Sequence, residues 1–228
     1  MSQTAVQEIR AGLIDVFPVA VAAAPFGFLL GALAVQKGLS SGEMALMSAG
    51  VYAGAAQFVV IGIWSNPAPW LALTLSALLV NMRHVLMGAS LARKLDGFSP
   101  LQRQLAMFFM VDETWALAEA RALKTPLTPA YYFGMALLLY PAWIVDTTLG
   151  TVFGGLVPEP ERFGFDFAFT AIFIALIAGF WRGGRTGLVL AASAGIAILT
   201  RHFFDGPWYI AAGGLAGAAA GALTAETR

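Results

Sequence analysis

Cysteine is absent from the 228 residues, which excludes thiolate metal sites, disulfides and cysteine nucleophiles and leaves the redox compartment open. Charge is scarce. Only 11% of residues are Asp, Glu, Lys or Arg, against about a quarter in soluble domains. With 59% hydrophobic residues and a mean hydropathy of +0.76, there is too little polar surface to cover a globule in water. The apolar surface must face lipid. Thirteen basic residues balance thirteen acidic ones, so nothing points to a nucleic acid or an acidic partner. The two histidines are too few for a histidine-rich metal site. Gly-x-Ser-x-Gly, Walker and dinucleotide loops and His-Glu-x-x-His are missing as well. No catalytic residue, metal or cofactor is therefore expected, and ATP use through a Walker loop is excluded. A cleavable leader is not expected either: Gln3, Gln7, Glu8 and Arg10 make the first ten residues polar and mixed in charge, a lead-in at the membrane interface.

What is abundant is apolar sequence in lengths suited to a bilayer, where a crossing helix needs about 20 residues. Eight segments are expected: Gly12 to Val35, Met44 to Trp64, Pro69 to Leu91, Leu101 to Ala122, Ala130 to Val157, Phe165 to Trp181, Thr186 to Thr200 and Trp208 to Leu223. The last three are short, so two of them are candidates for half-spans. Turn residues separate the segments: Lys37-Gly38, Asn66-Pro67, Pro126 with Pro129, Pro158 with Pro160, and Gly183-Gly184. No linker separates soluble domains. The fold class is an all-α polytopic membrane bundle of seven to eight segments, some interrupted, forming one domain over residues 1–228. Eight alternating crossings divide the loop Lys and Arg evenly between the two sides, so the charge bias assigns no orientation. A weak echo aligns Pro18, Gly27, Gly31 and Leu33 with Pro141, Gly150, Gly154 and Leu156, and Arg83-His84 recurs as Arg201-His202, as two related halves would produce.

The information lies in polar residues at membrane depth, where a charge costs about 2.5–3.5 kcal/mol even on lenient scales. Arg83 and His84 follow a long apolar run, with Asn81 on the His84 face, a donor-rich wall suited to a carboxylate; the plain alternative is an arginine snorkelling to phosphates. Asp112 and Glu113 are adjacent and so diverge by about 100°. One can pair with Arg83 while the other faces a cavity and exchanges a proton or meets an ammonium; a structural ion pair is the alternative. Asp146 follows Pro141, whose missing N–H frees a carbonyl, and reads either as a polar niche or as a hydrogen-bonded acid at a kink. Pro18, Pro25, Phe26 and Gly27 predict a broken first helix whose second half presents amides to an anion. Gly50-x3-Gly54 predicts close helix approach. Gln57, beside Phe58, is deep enough to bond a ligand or another helix. Trp64, Trp70, Trp143 and Trp208 read as interfacial anchors or packing residues. An intramembrane hydrolase using Asp112 with Asp146 has no marked second partner.

Taken in order, Pro25-Phe26-Gly27, Tyr52-Ala53-Gly54-Ala55-Ala56-Gln57-Phe58, Asn81-Met82-Arg83-His84-Val85-Leu86-Met87-Gly88 and Asp112-Glu113-Thr114-Trp115-Ala116 resemble the AzlC/YgaZ family of branched-chain amino-acid exporters. Tyr131-Tyr132-Phe133-Gly134 fits as well, and the likeness is loose after Pro158. The resemblance implies a large subunit in the cytoplasmic (inner) membrane. It implies a small AzlD/YgaH-type membrane subunit as partner, and valine, leucine, isoleucine or similar amino acids as substrates. On that basis the solute carboxylate is expected at Phe26-Gly27 or Arg83, the ammonium at Asp112 or Glu113, and the apolar side chain at Phe58. Proton coupling is expected at Glu113, Asp112 or Asp146. The competing expectation is a membrane scaffold or regulatory subunit that carries no solute.

Overall fold

The computed structural model describes residues 3–156, 167, 174, 178, 181, 183–204 and 208–224. Every regular element among them is a helix: α1 Gln3–Gln36, α2 Ser41–Val51, α3 Gly54–Gly62, α4 Trp70–Asn81, α5 Arg83–Ala92, α6 Pro100–Phe108, α7 Asp112–Ala122, α8 Pro129–Gly154, α9 Gly184–Phe203 and α10 Trp208–Leu223. Starts are set by local chemistry. Ser40 caps α2 with Glu43, and Ser99 caps α6 with Gln102 and Pro100 in the first turn. Thr128 caps α8 ahead of Pro129. The expected segment from Phe165 to Trp181 and the turn at Pro158 and Pro160 fall outside the described residues, apart from isolated positions.

Four helical stretches are long and apolar enough to cross a membrane: Thr4–Gln36, Trp70–Ala92, Pro129–Gly154 and Gly184–Phe203. Two of the expected crossings do not cross. At 1.5 Å per residue, α2, α3, α6 and α7 are each only about 14–17 Å long, half a bilayer core. The start of α2 (Leu39, Met44) and the finish of α3 (Ile61, with Trp64) share one apolar cluster with Leu30 and Ala34 near the end of α1. Residues 41–62 therefore form a hairpin that enters from this far end and returns to it. Likewise Gln102 of α6 lines one groove with Glu8 and Thr128, while Arg121 at the finish of α7 pairs with Glu8 at 2.8 Å. Residues 100–122 are a second hairpin, entering from the near end where α1 begins. Between them α4–α5 crosses from Trp70, whose ring meets Trp64 at 6.2 Å, to Leu91 in the near-end cluster with Tyr131 and Tyr132.

The second and fourth segments are thus half-depth hairpins. Of the three short segments near the C-terminus, Gly184–Phe203 is long enough to cross, Trp208–Leu223 is a shorter apolar helix, and the sixth lies outside the described residues apart from isolated positions. Apolar content measures residence in lipid, and a hairpin is as apolar as a crossing. The unit of one crossing followed by one hairpin occurs twice in opposite directions, α1 with α2–α3 and α4–α5 with α6–α7, an inverted arrangement at the level of topology. The glycines of the echo between Pro18 and Pro141 meet in one seam. α1 and α8 run side by side in the same direction, and Gly27, Gly31, Gly150 and Gly154 all face the opposite helix at close range. Small residues let these backbones approach, as membrane helices require. The side-chain bond of Thr128 to Glu8 (2.8 Å) and that of Tyr131 to Asp15 (2.7 Å) tie the near halves of the two helices together.

The hairpin tips leave backbone carbonyls that lipid cannot solvate. Two tyrosines of α8 meet this need, Tyr140 donating to Ala49 O at 2.9 Å and Tyr132 to Ala106 O at 2.8 Å. At the α6–α7 tip, Thr114 Oγ1 accepts from Val111 N–H at 2.9 Å and lies 3.1 Å from Phe109 O. The first helix, expected to break at Pro18 and Pro25, is continuous from Gln3 to Gln36 with both prolines inside it. A proline removes one helix bond, and the bonds on either side together with the α8 seam hold the remainder. The break falls instead at Tyr52, in the left-handed region at φ 41°.

Candidate functional site

Both hairpin tips point to the middle of the bundle and meet at one cavity of about 80 Å³. Tyr52, Ala53, Gly54 and Ala55 line it from the α2–α3 tip; Val111, Asp112 and Glu113 line it from the opposite tip. Arg83 and His84 reach it from the point where α4 gives way to α5, and Ala23, Leu139 and Trp143 supply an apolar wall from α1 and α8. Two helices, α3 and α7, begin at this cavity, each after a non-helical residue. Their first amides have no partner in their own helix, and the positive ends of their dipoles converge there.

Charge is divided across the space. Arg83 Nη1 lies 2.9 Å from Asp112 Oδ2, with the two side chains 39% and 45% exposed. A pair that open is easily exchanged for a ligand. Arg83 Nε has no acceptor. Glu113, next to Asp112 at the start of α7, is exposed to the cavity and forms no ion pair among the described residues. His84 Nδ1 lies 3.2 Å from Asn81 O, satisfying a carbonyl at the helix interruption. Acid and cation thus face one small space whose third side is apolar.

The apolar wall is held by a buried chain of hydrogen bonds. Trp143 Nε1–H donates to Gln57 Oε1 at 2.9 Å, and Gln57 Nε2 donates to Ser48 Oγ at 3.1 Å. Ser48 Oγ lies 2.8 Å from Thr147 Oγ1, whose proton goes to Ile144 O at 3.1 Å. The chain ties α2, α3 and α8 together behind the cavity. A Cβ on Gly54 would sit 3.0 Å from the Trp143 ring, so a glycine is what lets α3 begin against the indole.

Of the residues offered as ligand- or proton-binding from the sequence, Arg83, His84, Asp112 and Glu113 line the cavity. The other candidates of that kind do not. Gln57 is fully buried and bonds two helices, and Phe58 packs among Leu30, Met44 and Ile61. Asn81 lies just before the interruption, its Oδ1 buried without a partner. Asp146 faces α1, where a Cβ on Gly27 would lie 2.8 Å from its own Cβ; it does not share the cavity of Asp112. Pro25, Phe26 and Gly27 lie within continuous α1, so their amides form no half-helix start: that expectation is corrected by the fold. Gly50 has open space where Gly54 has Trp143, because the break at Tyr52 separates the two glycines. Trp143 is no interfacial anchor. It was missed as a site residue, as were Tyr52, Ala53 and Ala55, although Tyr-Ala-Gly between two short apolar runs carries the glycine of a turn.

A family model described as AzlC protein matches residues 18–157. The chain belongs to the AzlC family. Every residue lining the cavity lies within the matched stretch, which runs from Pro18 in the middle of α1 to just past the end of α8. Among AzlC relatives, the chain is 29% identical over 222 residues to the inner membrane protein YgaZ of Escherichia coli K12, covering 94% of this chain and 88% of that one. It is 28% identical over 198 residues to an uncharacterized membrane protein of Archaeoglobus fulgidus, covering 86% and 85%. It is 26% identical over 189 residues to the branched-chain amino acid transport protein AzlC of Bacillus subtilis 168, covering 81% and 72%. No solved structure matches. This AzlC chain is a helical membrane protein, and the named function among these relatives is transport.

Proposed function

We propose that this protein exports branched-chain or other small apolar amino acids across the cytoplasmic membrane, coupled to protons and acting with a small AzlD/YgaH-type membrane subunit. The observation that carries the reading is the central cavity, where two opposed hairpin tips bring Arg83, Asp112 and Glu113 against the apolar wall of Leu139 and Trp143. A zwitterion with an aliphatic side chain matches that division: cationic donors for one end, carboxylates for the other, indole and leucine for the side chain. Asp112 is released from Arg83 as solute enters, and Glu113 takes up or gives up a proton with each cycle. Opposed hairpins of half-membrane depth also suit alternating access, since tilting either one opens the cavity to its own side.

Orientation follows from the hairpins. Within residues 3–156, Arg10, Arg93, Lys94, Arg103, Arg121 and Lys124 belong to the near end and Lys37 to the far end. The positive-inside bias puts the near end in the cytoplasm. The functional test is flux of labelled L-valine in proteoliposomes, with and without the small subunit. Asp112→Asn and Glu113→Gln are expected to slow flux by about tenfold or more, the equivalent of one charge-assisted bond. Unchanged flux in both variants and in Asp146→Asn would remove the carboxylates from the mechanism. Absence of flux under every condition would favour a scaffold.

A further inference from the structure

The cavity has one wall that the ion pair does not use. α3 begins at Gly54 with Ala53 as its cap, and no side chain caps it. In its first turn, Gln57 N–H is the first amide to find a helix acceptor, Ala53 O at 2.9 Å. The N–H groups of Gly54, Ala55 and Ala56 thus lack helix partners, and Gly54 and Ala55 line the cavity. Immediately before them stands Tyr52, 4% exposed, lining the same cavity, with a buried hydroxyl that finds no hydrogen-bond partner. Its ring stacks edge-on against Tyr140 at 4.9 Å, and its left-handed backbone at φ 41° swings the chain from α2 into α3. A buried hydroxyl without a partner is costly to a fold. Further donors without partners belong to residues lining the same cavity, the first amides of α3 and Arg83 Nε.

We propose that the start of α3, with the Tyr52 hydroxyl, is a subsite for the carboxylate of the transported solute, Arg83 closing it from the α4–α5 interruption. This deepens the transport reading and rests on it: the solute's acid end is held by the α2–α3 tip and its ammonium by Glu113 on the opposite tip. Each end of the solute then belongs to a different hairpin. A ligand must carry both groups to bridge them, which selects amino acids over amines and over simple fatty acids.

Binding and flux separate this subsite from transport itself. Ligand-induced stabilisation of the full chain in detergent is measured with L-valine, L-valinamide and isovalerate, alongside labelled L-valine flux with the small subunit present. L-Valine is expected to bind about tenfold or more tighter than L-valinamide, one charge-assisted hydrogen bond being worth that factor. Tyr52→Phe keeps the ring against Tyr140 and removes only the orphan hydroxyl. It is expected to hold or raise the Tm while weakening L-valine about tenfold and leaving L-valinamide unchanged, a combination that a purely structural tyrosine does not produce. Equal binding of L-valine and L-valinamide, or L-valine binding unchanged in Tyr52→Phe, overturns the subsite even if flux is normal. Carboxylate-dependent binding without flux overturns transport and leaves the subsite standing.

Discussion

Gly31 lies in the α1–α8 seam, the most extensive helix contact of the described residues, and Gly31→Ala tests whether that seam is rigid. A methyl group there would overlap the carbonyl oxygen of Thr147 and lie 2.7 Å from Thr151 N and 2.9 Å from Gly150 C, where ordinary contact begins at 3.4 Å. All three are backbone atoms, so no side chain can rotate away. The overlap with the Thr147 oxygen forces the helices to part by more than about 1 Å, and a gap of that size forfeits about half or more of the dispersion energy at each neighbouring contact. Overpacking costs about 1–3 kcal/mol. Against this, alanine improves a helix interior by about 0.5–1 kcal/mol over glycine. The clash wins, for a net loss of about 1–2 kcal/mol. Thermal unfolding of the detergent-solubilised chain should show a Tm lowered by roughly 2–8 °C. Gly50→Ala, where nothing lies within 4 Å, is the control and should be unchanged or slightly stabilised. A Gly31→Ala protein as stable as the parent would refute the close packing of α1 on α8, and with it the placement of Ala23 opposite Leu139 and Trp143.

Two further outcomes follow from the packing and the topology. Gln57→Leu leaves the Trp143 N–H and Ser48 without their buried partner, a loss of about 1–3 kcal/mol; a lower Tm and a shifted tryptophan emission are expected, whereas an unchanged protein would mean that the network does not hold the wall. Because cysteine is absent, single cysteines report orientation without background. In intact cells an impermeant thiol reagent should label Gly42→Cys at the start of α2 and reach Gly97→Cys between α5 and α6 only after permeabilisation, and the reverse pattern would invert the assigned orientation.

The residues that sequence reasoning reached were those whose presence in lipid demands a reason. Arg83, Asp112 and Glu113 stand out because a charge at membrane depth is costly wherever the chain goes, and all three line one cavity. Gln57 stood out for the same reason and turned out to be a brace between helices, since polarity alone does not tell a ligand contact from a buried bond between segments. Tyr52 and Trp143 carried no such signal. Aromatics are ordinary in membrane segments, and only the neighbours of a ring reveal what it lines. The prolines of α1 misled because a helix break needs more than one missing hydrogen bond when a partner helix packs along its length.

Composition and the length of the apolar runs by themselves determined that this chain is a bundle of helices in lipid. Too few charged residues remain to face water, and runs of about 20 apolar residues suit helices rather than the shorter strands of a barrel. Direction was decided only by tertiary structure. Whether a stretch of about 20 apolar residues passes through or turns back depends on two or three residues at its middle, at Tyr52-Ala53 and at Phe109 to Val111, and on whether another helix supplies partners for the exposed carbonyls. Tyr140 and Tyr132 do so from a different part of the chain, and no local pattern records that.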